Sequence, residues 1–157
     1  MNLTERVSGV REDIARARKS HFRLVWIAGG CHALRTSLLR ELGYAEQGVF
    51  VNLGMVLSGL LLDLPPHLRT AAIGESFAEC IGGSNPGVAC IDNPEILFEA
   101  SLNINPISFL ESASRRTTIA VAWPGVIDQG CLSYGPEDHP SSKRMAIAEF
   151  ESIVHCL

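Results

Sequence analysis

Residues with the chemistry of a phosphate-binding loop lie between an apolar run and a helical segment near the start of the chain. The apolar run covers residues 23–28, and residues 29–36 read Gly-Gly-Cys-His-Ala-Leu-Arg-Thr. A phosphate-binding loop at such a junction has the pattern Gly-x-x-x-x-Gly-Lys-Ser/Thr, in which backbone N–H groups face phosphate oxygens and the hydroxyl binds Mg²⁺. Gly29 and Thr36 match the first and last positions of this pattern.

Two positions of this loop differ from the full pattern. Leu34 stands in place of the second glycine, and Arg35 stands in place of the lysine. Arg35 keeps a positive charge for phosphate, although a planar guanidinium differs in shape from an ammonium; a surface charge on the first helical turn is the alternative interpretation. The candidate cofactor-binding residues are those of the loop and the helical positions after it: Gly29, Gly30, Arg35, Thr36 and Ser37.

A carboxylate ends a second apolar run. Residues 88–92 read Val-Ala-Cys-Ile-Asp, and an apolar strand ending in Asp forms the second half of a P-loop NTPase site, where the carboxylate holds Mg²⁺. We therefore predict that Thr36 and Asp92 form a metal site for Mg²⁺ bound with ATP. The alternative role of Asp92 is that of a helix-capping or turn residue.

Hydrolysis of a nucleotide needs a residue that orients water, and the candidates here are weak. Many ATPases of this class place Glu directly after the Asp, but Asn93 occupies that position, which leaves Glu95 as the nearest catalytic carboxylate. Capping of a short helix is the alternative role of Glu95. Arg116, just before the run 118–123, is a candidate phosphate sensor or arginine finger for a neighbouring subunit, or else part of a solvated helix end.

The elements that must position these residues alternate between apolar strands and helices. Strands are predicted at residues 23–28, 49–53, 88–92, 118–123 and 153–157. Buried strands linked by helices form parallel sheets with helices on both faces. The predicted fold is a three-layer, P-loop NTPase-like α/β domain with a mostly parallel five-stranded sheet, in which 88–92 and 118–123 lie centrally beside the first strand.

Helices are predicted from apolar spacing and from turn residues. Within residues 1–21, an amphipathic helix is indicated by apolar residues that recur every three or four positions: Leu3, Val7, Val10, Ile14 and Ala17. We expect this stripe to pack on the domain, and docking to a partner is the alternative. Thr36 is predicted to begin the helix after the first strand, and residues 143–150 are predicted to form a last helix.

The composition fits one domain, residues 1–157. Of the 157 residues, 46% are hydrophobic and 19% are charged, which is enough apolar material for a sizeable core. The sequence has no run of roughly 18 apolar residues of the kind that spans a membrane. Five widely spaced cysteines without a Cys-x-x-Cys pair predict reduced core residues, as in a cytoplasmic protein.

The charge of the chain is unevenly distributed. The formal net charge is −4, with an excess of Lys and Arg in residues 1–40 and of Asp and Glu in residues 41–157. The overall acidic balance argues against direct DNA binding by the chain alone. A small basic face near the N-terminus remains compatible with it.

Several of these motifs resemble those of a known family. Residues 89–98, 105–107 and 120–125 are similar to the BrxF family of small P-loop proteins from type 3 BREX phage-defence systems. Residues 132–134 and 139–140 and the chain length are also similar, and the resemblance covers most of the chain after the N-terminal helix. Its most specific part lies between the second apolar run and residue 125.

The resemblance implies a partner set and a location. The family is encoded beside a DNA methyltransferase, a PglZ-type phosphatase-like protein and a helicase, so it implies these BREX proteins as partners in the bacterial cytoplasm. A homo-oligomer is also compatible with it. Gly29, Thr36 and Asp92 are the positions that match the family's nucleotide site.

Two functions therefore follow as expectations. The first is a nucleotide-binding subunit of a defence complex with weak or no ATP hydrolysis by itself, because Leu34 and Asn93 depart from the active pattern. The second is a non-catalytic interaction or adaptor module that keeps a P-loop-like fold and no longer binds nucleotide. Whether the chain is an enzyme stays open at this point.

Overall fold

The most apolar segments of the chain form one parallel sheet. The computed structural model describes residues 1–82, 87–136 and 138–157, and its strands are β1 (Leu24–Ala28), β2 (Val49–Asn52), β3 (Val88–Asp92), β4 (Thr118–Ala122), β5 (Val126–Asp128), β6 (Cys131–Tyr134), β7 (Lys143–Ala146) and β8 (Ile153–Cys156). The larger sheet has the order β2-β3-β4-β1-β8, and all its neighbours are parallel. Strands β3 and β4 are central, beside β1, as predicted.

Helices cover both faces of this sheet. They are α1 (Leu3–Ala17), α2 (His32–Ala45), α3 (Leu53–Leu62), α4 (Arg69–Cys80) and α5 (Pro106–Ala113). One core cluster joins α1 and α2 to the sheet, and a second joins α3, α4 and α5 to the opposite face. Alternate strand residues supply the two clusters, because successive side chains of a strand point to opposite faces. The three-layer α/β prediction is confirmed at this level.

The N-terminal helix packs on the sheet as its apolar spacing predicts. Val10 and Ile14 are fully buried, and the basic residues Arg11, Arg16 and Lys19 are exposed. A capping box starts the helix, because the Asn2 side chain accepts a hydrogen bond from the Glu5 N–H at 2.9 Å. Asp13 also contacts His155 Nδ1 of β8 at 2.7 Å, which links the helix to the sheet edge.

A second, smaller sheet replaces the predicted last helix. Strands β5, β6 and β7 form an antiparallel sheet between β4 and β8. The prediction of a helix over 143–150 is therefore wrong, since residues 143–146 pair with 131–134 and only a short 3₁₀ turn (Ile147–Glu149) follows. The pairing partner of β7 is distant along the chain, and such a contact overrides weak local helix propensity.

Three further features of the chain differ from, or lie beyond, the predictions. Among the cysteines, all of them unpaired, Cys90 alone is buried, while Cys31 and Cys156 are exposed, so the prediction of core cysteines is wrong for those two. Residues 82–87 read Gly-Gly-Ser-Asn-Pro-Gly, a composition that predicts a dense turn, and they lie largely outside the described residues. Among the helices of the described segments, none has the length and apolar character needed to cross a membrane.

Candidate functional site

Thr36 and Asp92 meet at the carboxyl edge of the sheet. The Thr36 hydroxyl Oγ1 donates a hydrogen bond to Asp92 Oδ2 at 2.6 Å. Asp92 is the last residue of β3 and is 2% exposed, whereas Thr36 lies in the second turn of α2. The prediction that these two side chains lie within reach of each other is confirmed. We call them the Thr36–Asp92 pair.

The fold places this pair by packing α2 across two strands. Helix α2 follows β1, yet its buried residues Leu38, Leu39 and Leu42 pack in the cluster that also contains β3 and β4 residues. The helix therefore crosses over β4 and brings Thr36 to the end of β3. Ligands of open α/β sheets bind at this edge, beyond the carboxyl ends of the strands.

The second carboxylate oxygen of Asp92 is also engaged. Its Oδ1 accepts a hydrogen bond from the Asn93 backbone N–H at 3.1 Å. Asn93 itself has a left-handed backbone, with φ of +52°. Because each oxygen has a fixed donor, the plane of the carboxylate is held in one orientation at the sheet edge.

The glycines after β1 form a tight left-handed turn. Gly29 has φ of +84° and Gly30 has φ of +62°, a region that favours glycine over residues with a Cβ. A Cβ on Gly29 would also lie 3.2 Å from the carbonyl oxygen of Leu157, whose N–H donates to the Ala28 carbonyl at 2.8 Å. The backbone conformation therefore favours glycine at this position, and a side chain would also be tight against Leu157. We call residues 29–31 the glycine loop.

Arg35 is bonded to the glycine loop. Its Nη1 donates to the carbonyl oxygen of Gly29 at 2.8 Å and to that of Gly30 at 2.9 Å. Its Nε is buried and lacks a hydrogen-bond partner among the described residues. The guanidinium that was predicted to attract phosphate thus stabilises the turn by binding its carbonyl groups.

The helix after the loop begins earlier than predicted. Cys31 is the N-cap and α2 starts at His32, so the prediction that Thr36 begins this helix is wrong. The physical reason is the turn itself, because two glycines with positive φ reverse the chain within three residues. Residues 32–35, which the phosphate-binding pattern assigns to the loop, form the first helical turn instead.

Apolar side chains lie beside Gly30, which is itself exposed. A Cβ on Gly30 would lie 3.0 Å from Leu34 Cδ2 and 3.3 Å from Leu157 Cδ1. Leu34, which replaces a glycine of the pattern, therefore narrows the space above the loop. The side chain of Cys31 forms no capping hydrogen bond at the start of α2, so N–H groups of the first helical turn stay available to an anion.

The remaining predicted site residues lie outside this cluster. Ser37 follows Thr36 on α2 and is exposed. Glu95 lies in the 3₁₀ turn Pro94–Phe98, and none of the hydrogen bonds within the described ranges links it to the Thr36–Asp92 pair. Instead it lies towards Tyr134, whose pKa is raised by burial first and by the charges of Glu95 and Glu99 second.

The structure does not bring Arg116 to the glycine loop. Arg116 precedes β4 and so lies at the amino edge of the sheet, whereas Asp92 lies at the carboxyl edge. A strand of five residues spans roughly 16 Å, which is more than an arginine side chain bridges. The arginine-finger role towards a neighbouring subunit stays a prediction.

The donor set of the pair suits a metal that arrives with a nucleotide. The described part of the chain contains no group of three or more His, Cys, Asp or Glu side chains that could hold a metal. Thr36 and Asp92 supply a hydroxyl and a carboxylate oxygen, and Mg²⁺ in phosphate sites is held by one or two such ligands together with phosphate and water. The residues therefore fit Mg²⁺ bound to a nucleotide.

Sequence reasoning missed the contribution of Leu157 and the bonds made by Arg35. The signal for Leu157 was present, because the predicted strand 153–157 had to end at the same edge as β1. The bonds of Arg35 could not be read from the pattern, which assigns that position to phosphate.

Comparison with known proteins adds no assignment, since no protein-family model and no curated protein matches this chain. The candidate site is therefore defined by its geometry: the Thr36–Asp92 pair, the glycine loop and Arg35.

Proposed function

We propose that this chain is a nucleotide-binding subunit of a BREX-type phage-defence system that binds Mg·ATP or Mg·ADP weakly and does not turn over ATP by itself. The observation that carries the proposal is the 2.6 Å hydrogen bond of the Thr36–Asp92 pair. In P-loop NTPases a hydroxyl at the helix start and an Asp at the end of a strand hold the metal together. The BREX assignment rests on the family resemblance of residues 89–98 and 120–125.

A P-loop NTPase-like fold is part of this proposal. The glycine loop follows β1, the acidic residue ends β3, and both lie at the carboxyl edge of a parallel sheet. Helix α2 starts at the loop and directs its N-terminus, with its partial positive charge, to the same edge. These features support a site for the phosphates of a nucleotide.

The chain's own residues would hold Mg²⁺ through two oxygens. Bound with a nucleotide, Mg²⁺ supplies charge neutralisation between phosphate oxygens. The Thr36 hydroxyl and Asp92 would hold it, because Oγ1 keeps its lone pairs for a cation while its hydrogen stays bonded to Asp92 Oδ2. The Asn93 N–H keeps the Asp92 carboxylate in place meanwhile.

Weak affinity follows from the state of the glycine loop. Arg35 directs its charge to the carbonyls of Gly29 and Gly30, so phosphate must compete with two hydrogen bonds of 2.8 Å and 2.9 Å. Leu34 and Leu157 crowd Gly30, and residues 32–35 are helical instead of wrapping around phosphate. The phosphates would meet only the helix N-terminus and the metal.

The absence of turnover follows from the groups that face the pair. Asn93 is neutral and cannot accept a proton from water as a carboxylate does. Glu95 has no hydrogen bond to Thr36 or Asp92 within the described ranges. A bound nucleotide would therefore lack a base that orients the attacking water.

The second candidate function is an adaptor that binds no nucleotide. The observation that favours it is the closure of the glycine loop by Arg35, Leu34 and Leu157.

Under either function the partners we propose are the methyltransferase, the PglZ-type protein or the helicase of a BREX system in bacterial cytoplasm. Co-purification with these proteins from cells that express the whole system tests that assignment.

Calorimetric titration with Mg·ATP separates the two functions. We expect saturable binding with a Kd of about 0.1–1 mM for the native chain, and binding at least about tenfold weaker for Asp92→Asn, which removes the metal-binding charge. Asp128→Asn, an exposed carboxylate change on β5, is the matched control and should leave the Kd unchanged. No heat at millimolar nucleotide establishes the adaptor. Sustained phosphate release by the native chain that Asp92→Asn abolishes contradicts the absence of turnover.

A further inference from the structure

An apolar cavity lies at the opposite edge of the sheet from the glycine loop. It has a volume of about 540 Å³ and lies between α4 and α5, with walls that include Phe77, Ile81, Phe109 and Ala113. The rings of Phe77 and Phe109 pack edge to face, with centroids 5.2 Å apart and planes at 84°. Pockets for small organic ligands have volumes of roughly 300–1,000 Å³ and mostly apolar walls, and this cavity fits both criteria.

Small residues keep the cavity open. Gly74 and Ala78 face it from α4, and a Cβ on Gly74 would meet no atom within 4 Å. A glycine inside a helix costs roughly 1 kcal/mol relative to alanine, and no packing contact of Gly74 requires it. The missing side chain therefore leaves space that a larger residue would fill.

An unpaired cation stands at the mouth of the cavity. Arg116 lines it, is exposed, and forms neither an ion pair nor a side-chain hydrogen bond with any described residue. The neighbouring Arg23 is engaged differently, because its Nε and Nη2 donate to the carbonyls of Ser114 and Arg115 at 3.2 Å and 2.7 Å. Arg23 thus binds the carbonyl groups of Ser114 and Arg115 near the end of α5. The Arg116 guanidinium is therefore available to bind an anion.

We propose that this cavity binds a small amphipathic carboxylate, with its aliphatic or aryl body against Phe109 and Ala113 and its carboxylate at Arg116. The apolar walls favour a hydrocarbon body, and the single free guanidinium among the residues that line the cavity selects for one negative charge. A neutral molecule of the same length gains only the hydrophobic part. This site is independent of the glycine loop and of the function proposed for it.

A chain-length series tests the proposal. Calorimetric titration of the full chain with octanoate, decanoate and dodecanoate below their micellar concentrations should give one saturable site, and each added methylene that enters the cavity should tighten binding roughly fourfold. Octanol should bind roughly fivefold more weakly than octanoate, since it lacks the ion pair. Absence of saturable binding, or an affinity independent of chain length, overturns the proposal; a cavity that accepts only a protein segment would give that result.

Two substitutions locate the binding. Gly74→Leu should fill the cavity and weaken decanoate binding at least roughly tenfold, while Gly59→Leu, at a glycine of α3 that also has open space around it, should not change it. Arg116→Gln should reduce octanoate affinity to that of octanol and leave octanol unchanged, with Arg144→Gln as the charge-matched control. Unchanged decanoate binding in Gly74→Leu overturns the proposal. Binding of Mg·ATP should be the same in Gly74→Leu, Gly59→Leu and Arg144→Gln, so failure of either site is distinguishable.

Discussion

The Thr36–Asp92 pair and the glycine loop share one edge of the sheet but keep the geometry of a phosphate site to different degrees. The pair retains a hydroxyl and a carboxylate 2.6 Å apart. The loop has Leu34 and Arg35 where the phosphate-binding pattern has glycine and lysine, covers only residues 29–31, and is bonded to Arg35. The two side chains that the proposed site would use for a metal lie together, whereas the loop that would bind phosphate is closed.

The Thr36–Asp92 pair and the glycine loop differ in the elements that hold them in place. Asp92 ends a strand whose five residues are all buried, and Thr36 lies on a helix held by Leu38 and Leu39 in the core. The loop joins β1 to α2 at the surface, where Gly30 and Cys31 are exposed, and such connections vary in sequence more readily than buried strands do. The core therefore fixes the positions of Thr36 and Asp92 even where the loop departs from the phosphate-binding pattern.

Removal of the carboxylate should have the largest effect. Asp92→Ala deprives the Thr36 hydroxyl and the Asn93 N–H of their acceptor at a buried position, which costs about 2–3 kcal/mol of unfolding free energy. Urea unfolding at neutral pH measures it. Asp128→Ala, on the exposed strand β5, should change the free energy by less than about 0.5 kcal/mol. Equal stability of Asp92→Ala and the native chain would mean that the pair is not a structural unit.

Restoration of the loop should sharpen the contrast. The double change Leu34→Gly and Arg35→Lys removes the side chain above Gly30 and frees its carbonyl, so Mg·ATP binding should tighten roughly tenfold. ATP hydrolysis should stay at background, because Asn93 is unchanged. Calorimetry and a phosphate-release assay measure the two effects. An affinity that falls, or hydrolysis that appears, would contradict the assignment of the defect to the loop.

Loss of the Arg35 bonds should loosen the loop and leave the pair intact. Arg35→Met keeps the apolar stem but removes two hydrogen bonds, and should lower the unfolding free energy by about 1 kcal/mol. Amide hydrogen exchange should accelerate at residues 29–33 and stay slow at Asp92. Arg40→Met on the same helix removes only a cation–π contact 4.3 Å from the Phe50 ring and should cost about 0.5 kcal/mol. Equal acceleration in both variants would show that Arg35 does not hold the loop.

Cysteine labelling should give the smallest contrast. Cys31 is the N-cap residue of α2 and is exposed. Cys90 is buried in β3, and this burial raises the pKa of its thiol to about 12. The reactive form is the thiolate, so iodoacetamide at pH 8 should label Cys31 and leave Cys90 unlabelled. Mg·ADP should slow the labelling of Cys31 by roughly twofold if nucleotide lies over the loop. Peptide mass analysis measures the rates, and rapid labelling of Cys90 would contradict its burial.

The sheet and the Thr36–Asp92 contact could be predicted because both depend on burial and topology. The strand 88–92 was predicted with the observed ends. Four apolar residues followed by Asp92, with turn residues on both sides, leave few other positions at which the strand could begin or end. Parallel strands put their carboxyl ends at one edge, so the Thr36–Asp92 contact followed. These predictions used no information beyond residue type and order.

The loop and β7 could not be predicted because their conformations depend on distant partners. Nothing local indicates that α2 begins at His32, since the turn depends on Leu157 beside Gly29. Residues 143–146 form a strand only because β6 offers a pairing edge. In both cases a tertiary contact decides between conformations of similar local propensity.

The Mg²⁺ dependence of ADP affinity tests the central claim most directly. If the Thr36–Asp92 pair carries the binding and the glycine loop contributes little, calorimetric titration of the native chain with ADP should give at least roughly tenfold tighter binding with Mg²⁺ than with EDTA. Asp92→Asn should lose that difference. The same affinity with and without Mg²⁺, or tight binding in EDTA, would contradict the account, because the loop and not the pair would then hold the nucleotide.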